Sequence, residues 1–464
     1  MLWPADELDR WRSTPIDPWD PAKAAHLLRR AGFGAAPTDV ARVTEIGMEA
    51  AVDDLLTTGP EAEREWGTLV LPHGEALEVN RELADQRAAW LFFLLHTDQP
   101  LREKMVLFWH DHFSVGARQG HNRFHLQAHL NLLRRHALGK VRDLLRALLL
   151  DPAMLVWLDN YCNGRPSDGV PRINLNFARE LLELYTMGVQ GGYTQHDVME
   201  AARCLSGWSM LGPITSNVTG YRDDWHVPGQ KTVLGARIDH ADGRRDAHEL
   251  IDVLLRQPAT APFLVGKIWR WLVAQELPAA LHAELAKFFV ASDYDVHALL
   301  SCLLRARVFY AQGTRGSLVR NPVEFAAATW LALGRPPLRN ARALAEAVTA
   351  MGFPLLDYLT PGGVEDGSAW LSTQRVVERV RFARALTQEP NPFECTADWQ
   401  QIDAELPRDP DQRARAIEVR CLGDLGDAAV RAMCATALRA APDPQAGLRA
   451  ALTQIFVSPH FQCC

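Results

Sequence analysis

The sequence predicts an all-α protein, a multi-helix array broken by one long ordered irregular loop or short hairpin at about 207–242. Three observations carry this. Apolar residues recur with a helical period through nearly the whole chain. Helix starts carry capping residues, as in Asp20-Pro21 and Thr38-Asp39. Departures from the helical period gather in 207–242, rich in Gly, Pro, Asp and aromatic residues, and in 352–367.

The elements follow in order. Asp20 caps, Pro21 occupies the first turn, and Ala-Lys-Ala-Ala-His-Leu-Leu-Arg-Arg forms an amphipathic helix ending near Gly32. A second helix opens at Thr38-Asp39, and a longer one covers 75–96. Further helices fall near 100–113, 119–137, 139–150, 174–187 and 194–206. The second half adds 245–256, 262–275, 279–290, 295–305, 321–333, 339–351, 372–388, 410–421, 427–439 and 444–456. A Leu-spaced helix followed by a stop recurs at 141–152, 248–258, 296–309 and 448–461, too irregularly for a solenoid period. Long irregular segments in compact proteins are usually functional or disordered, and the aromatic content of 207–242 favours an ordered loop over a site. The 464 residues suggest an N-terminal region 1–97, a central region 98–243 with the candidate site, and a C-terminal region 244–464, or one continuous domain.

Composition excludes several classes. A net charge of -7 argues against a nucleic-acid binder. No apolar run is long enough to span a bilayer, and the first residues lack a basic stretch followed by an apolar one. The expectation is a cytoplasmic protein with reduced thiols. None of the eight cysteines forms a Cys-x-x-Cys pair, so zinc-ribbon and thioredoxin-like chemistry have no support. Cys463-Cys464 reads as a frayed tail or a reactive end.

Chemistry-bearing residues crowd the central region. His110 and His112 lie between Trp109 and Phe113. A His-x-His pair either chelates a metal or caps and packs the core. His121, His125 and His129 recur every four residues, a metal stripe or a solvated face, and His136 suits a helix C-terminus. After the Leu158–Tyr161 turn with Asn160, Asn174 reads as an N-cap. Asn176, Glu180 and Glu183 then share a helix face, with Arg179 beside them and Leu181, Leu182, Leu184 and Met187 opposite. Two carboxylates one turn apart repel unless a proton or cation sits between them. The cation is a metal, or an arginine in a buried network. Loop 207–242 supplies Trp208, Tyr221, His226, Lys231 and His240. Gly229-Gln-Lys-Thr232 lacks the first glycine of a phosphate loop, and no serine-nucleophile motif is present.

Several motifs together resemble the bacterial family called domain of unknown function 1800. They are Phe108-Trp-His-Asp-His-Phe113, Arg135-His-Ala-Leu-Gly139, Asp151-Pro-Ala-Met154 and the 174–188 helix. Gly192-Tyr-Thr-x-x-Asp197, Ala202-Arg-x-Leu-x-Gly-Trp208 and His226-x-x-Gly-x-Lys-Thr-x-Leu-Gly235 join them, as does Pro258–Trp269. The likeness runs from His26–Gly34 to Ser458–Phe461. It implies a helical fold without a settled activity, and a sulfatase-like or phosphatase-like partner protein. Members of that family often look exported, which this chain's start does not. The family more often has Asp where this chain has Val227, which weakens a His226-Asp pair.

The functional expectation is a metal-dependent enzyme, hydrolytic or group-modifying, acting on a polar or anionic substrate. A divalent metal would sit among His110, His112, Glu180 and Glu183, with His226 nearby, to activate water or polarise an oxygen. Arg179 or Lys231 would hold negative charge. Trp109, Asn160, Asn174, Asn176, Tyr185 and Trp208 would contact substrate. The alternative is a non-catalytic helical scaffold or escort for a partner enzyme, in which these side chains satisfy one another.

Overall fold

The computed structural model describes residues 6–59, 68–71, 76–79, 82–117, 123–364, 367–423 and 425–464. Among them 59% are helical and 6% lie in strands. The first helix, Pro21–Ala31, begins as its sequence dictates: Asp20 accepts from the Lys23 amide at 2.9 Å and Pro21 takes the first turn. The second, Pro37–Leu56, bends at Gly47, whose φ of 84° the missing Cβ permits. Helix Leu83–His96 packs against Ala341–Ala350. The C-terminal helices Pro410–Leu422, Ala428–Ala440 and Pro444–Val457 pack on one another.

A connected apolar core runs from Trp11 to Phe461. Trp90, Trp109 and Trp269 are completely buried in it. Truncating such a ring to alanine costs about 3–5 kcal/mol. Trp11 and Cys464 are both tied down. The Trp11 amide donates to the Arg305 carbonyl at 2.7 Å, and Cys464 N donates to Leu318 O at 2.9 Å. Cys464 is 4% exposed, so the frayed tail is not observed. The eight cysteines are free thiols. Among the described residues no helix is long and apolar enough to cross a membrane.

The irregular stretch resolves into two short antiparallel hairpins. Trp208–Met210 pairs with Thr219–Tyr221, and Lys231–Val233 with Ala236–Ile238. Helix 75–96 begins only at Leu83, because Ala76–Glu78 forms a strand with Thr68–Val70. Short helices at Pro152–Trp157, Arg307–Tyr310 and Trp399–Ala404 have too few turns to show periodicity. Helix Arg123–His136 packs against Pro100–His112, Val141–Leu148 and Pro152–Trp157, framing the central region.

Candidate functional site

Four asparagines build the floor of the region. Asp159 turns the chain with a left-handed φ of 56°, a conformation Asp tolerates better than most residues. Buried Asn160 donates to the Leu205 and Trp208 carbonyls at 3.3 and 3.0 Å. Asn163 donates to Asn160 Oδ1 at 3.1 Å and to the Ala202 carbonyl at 2.9 Å, and accepts from the Asn174 amide at 3.0 Å. Asn174 Oδ1 accepts from Asn176 N at 2.9 Å, and Asn176 Nδ2 donates to Asp159 Oδ2 at 3.2 Å. These bonds fasten turn 158–163 to the next helix. A Cβ at Gly164 (φ +83°) would stand 2.0 Å from the Trp225 carbonyl oxygen, so only glycine lets the Trp225 segment close over the turn.

That helix starts as α over Asn176–Glu180 and widens into a π-helix over Leu181–Thr186. The Met187 amide reaches back five residues to Leu182 O at 3.0 Å, and the Thr186 hydroxyl to Leu181 O at 2.6 Å. Phe177, Ala178, Leu181, Leu182 and Tyr185 face the core. Glu180 and Glu183 are half-buried on the other side. Arg179 donates to Gln195 Oε1 at 3.2 Å. Tyr193 hydrogen-bonds to Glu183, and burial together with that carboxylate pushes its pKa up to about 12. Glu180 has no hydrogen-bond or ion-pair partner among the described residues. Burial, then the nearby Glu183 charge, raises its pKa above the ordinary 4.5.

His110 and His112 diverge as residues two apart on a helix must. His110 is buried against Trp90, Tyr358 and His129, and its Nε2 accepts from the Leu356 amide at 3.1 Å. His112 donates from Nε2 to the Tyr185 carbonyl at 3.1 Å and packs between Phe108 and Phe113. Burial keeps both imidazoles well below their ordinary 6.5. Nearby, His129 donates from Nδ1 to Asp151 Oδ2 at 2.5 Å, a fully buried pair. His125 hydrogen-bonds to the Ser216 carbonyl at 2.7 Å, and His121 lies outside the described residues. No three His, Cys, Asp or Glu residues are gathered to hold a metal ion among the described residues. The set His110, His112, Glu180 and Glu183 is therefore not assembled, because the helix that carries the histidines turns both into packed core.

Trp109 is completely buried, with Nε1 donating to Ala137 O at 3.0 Å. Tyr185 is equally buried, its hydroxyl 3.6 Å from Met154 Sδ. Trp208 is 6% exposed, stacked on His248 and edge-on to Tyr221. None of these three rings is open to a substrate in this conformation. Asn176, Arg179, Glu180 and Glu183 do share one face of the 176–186 helix, with Asn174 in the turn before it.

His226 and Lys231 meet in a second place, at an acid that sequence reasoning missed. Lys231 Nζ lies 2.5 Å from Asp246 Oδ2 and 3.0 Å from His226 Nε2, which is itself 3.2 Å from the same oxygen. His226 Nδ1 donates to the Ser206 carbonyl at 3.0 Å, which leaves Nε2 to accept from Lys231. The order Ser206–His226–Asp246 imitates a hydrolase triad. However, the Ser206 hydroxyl is buried, donates to Arg203 O at 2.6 Å and accepts from Val227 N at 2.9 Å. Lys231 is 1% exposed, so it anchors the second hairpin instead of reaching a ligand. Glu200 and Asp197 anchor the same hairpin through the Thr232 and Leu234 amides at 3.0 and 2.6 Å. The one sign of Asp246 in the sequence is its register with Leu250 and Val253 on an apolar face. Tyr193 and Asp159 fall inside the Gly192–Asp197 and Leu158–Tyr161 motifs, which do not reveal their partners.

The sequence model of the family described as "Protein of unknown function (DUF1800)" matches residues 26–463. No curated protein and no solved structure matches the chain.

Proposed function

The chain belongs to the DUF1800 family, and from that premise we propose that it is an enzyme using the Glu180 carboxyl for proton transfer on a polar substrate. One observation carries this reading: a half-buried carboxyl, without partner among the described residues, with raised proton affinity, at the start of a π-helical stretch. Unpaired acids are costly to sequester. Perturbed carboxyls and π-turns both concentrate at functional sites. A carboxyl whose pKa is raised donates its proton nearer neutral pH than a solvated one. Arg179, Asn176 and the Tyr193–Glu183 pair surround it with groups that can orient a polar substrate. The reaction class is hydrolysis or group transfer. A divalent cation shared by Glu180 and Glu183 is the metal-dependent form of the same proposal, since it would relieve the repulsion between them.

A second reading, a scaffold or escort for a partner enzyme, is favoured by the self-satisfied networks around Asn163 and Asp246. The Glu180→Gln variant separates the two. A catalytic carboxyl held under strain costs stability, so its neutral isostere melts at or above wild type and loses turnover of chromogenic esters, phosphate esters or glycosides. A scaffold gives no turnover in wild type. Melting well below wild type at neutral pH would make Glu180 a structural residue and remove the catalytic proposal. Manganese titration, read as paramagnetic broadening lost in the same variant, tests the metal form.

A further inference from the structure

Charges buried in a protein interior are costly unless an opposite charge meets them. Three guanidiniums depart from that rule where helix Pro21–Ala31, the segment before Pro322 and the C-terminal turn converge. Arg30, Arg320 and Arg379 are 1%, 2% and 1% exposed. Arg30 Nη2 donates to the Thr314 carbonyl at 2.6 Å and the Ser317 hydroxyl at 3.1 Å, while its Nε and Nη1 are buried without a partner. Arg379 donates to Gln462 Oε1 at 3.1 Å and the Arg320 carbonyl at 2.6 Å, and its Nε is also unpartnered. Arg320 donates to the Phe461 carbonyl and lies 4.5 Å over that ring. None of the three forms an ion pair with a carboxylate among the described residues. The buried acid beside them, Glu324, is ion-paired with Lys104 and accepts from the Asn321 amide at 2.8 Å. Burial pulls all three guanidinium pKa values down, that of Arg379 to about 10.

A cavity of about 30 Å³ opens at this point, lined by Arg30, Lys104, Asn321, Glu324, Trp370 and Cys464. It has room for a water or a small ion. Water would satisfy hydrogen bonds there and leave the charge. Of the three guanidiniums Arg30 lines the cavity, and Glu324, the carboxylate beside it, is already paired with Lys104.

We propose that this cavity binds a small inorganic anion, of chloride to phosphate size, gripped by the Nε and Nη1 of Arg30. The ion would lock the first long helix to the C-terminal turn. The test uses the full chain in gluconate buffer at constant ionic strength, with chloride and phosphate added separately. A saturable rise in melting temperature is expected with at least one of them, about 3 °C at a hundredfold excess over Kd. The anion that gives it identifies the occupant. The rise should vanish in Arg30→Gln and persist in Arg384→Gln, a change at an exposed position. No rise with either anion, or an equal rise in Arg30→Gln, overturns the site. Should Arg30→Gln fail to fold, wild-type crystals soaked in bromide decide. Anomalous density within hydrogen-bond reach of Arg30 supports the site, and its absence with phosphate also failing to bind overturns it.

Discussion

Replacing Asp246 with asparagine keeps the size of the side chain and deletes its charge. Asp246 is completely buried and Lys231 is 1% exposed, so the ammonium cannot reach water without unfolding its hairpin. One carboxylate oxygen accepts from Lys231 at 2.5 Å, with His226 Nε2 3.2 Å away, while Oδ1 accepts the His240 amide at 3.2 Å. Removing one partner of a buried pair costs about 3–5 kcal/mol, because the other charge is left uncompensated. Unfolding entropy near 2.1 cal/mol/K per residue, over 464 residues, makes 1 kcal/mol worth roughly 1 °C. Asp246→Asn should therefore melt about 3–5 °C below wild type by scanning calorimetry at pH 7. The double variant Lys231→Met/Asp246→Leu removes both charges and should recover most of that loss. An Asp246→Asn melting temperature within 1 °C of wild type, or a double variant as unstable as the single, would refute the buried-pair reasoning.

Other expectations follow from the same geometry. His26, His110 and His112 are held neutral by burial, below their ordinary 6.5. Their contribution to stability is whole above pH 6.5 and is lost as pH falls toward the folded values, since only the unfolded chain takes up those protons. At about 1.4 kcal/mol per pH unit each, the melting temperature should drop by roughly 4 °C between pH 6 and 5, and a flat profile there contradicts it. Glu180 has the opposite sign. Its raised pKa gives stability below the ordinary 4.5 that is lost as pH rises, so Glu180→Gln should gain on wild type from pH 4 to 7 in parallel thermal scans. Gly164→Ala meets the Trp225 carbonyl with a Cβ at 2.0 Å and should cost about 2–4 kcal/mol, read as a lower denaturation midpoint. A midpoint equal to wild type would show that the turn yields.

Helix positions were legible where periodicity ran for several turns. Asp20-Pro21 and the apolar face of Pro21–Ala31 gave a start, an end and a buried side. Hairpins of three-residue strands carry too few alternations to read, so the sequence marks 207–242 as an ordered loop or short hairpin but not its two hairpins or their register. The face shared by Asn176, Glu180 and Glu183 could be read, but not the π-helix beneath it, because backbone widening leaves no residue signature. His110 and His112 looked like ligands because histidine type does not reveal whether its partners are carbonyls, amides or ions. Asp246 and Lys231 are 15 residues apart and meet only through tertiary folding.

The most direct test of the Glu180 proposal is its carboxyl titration, followed by infrared difference spectra of wild type minus Glu180→Gln from pH 3 to 8. The account predicts a protonated-carboxyl band that persists above the ordinary 4.5. A Glu180 band that ionises at or below that value would contradict it.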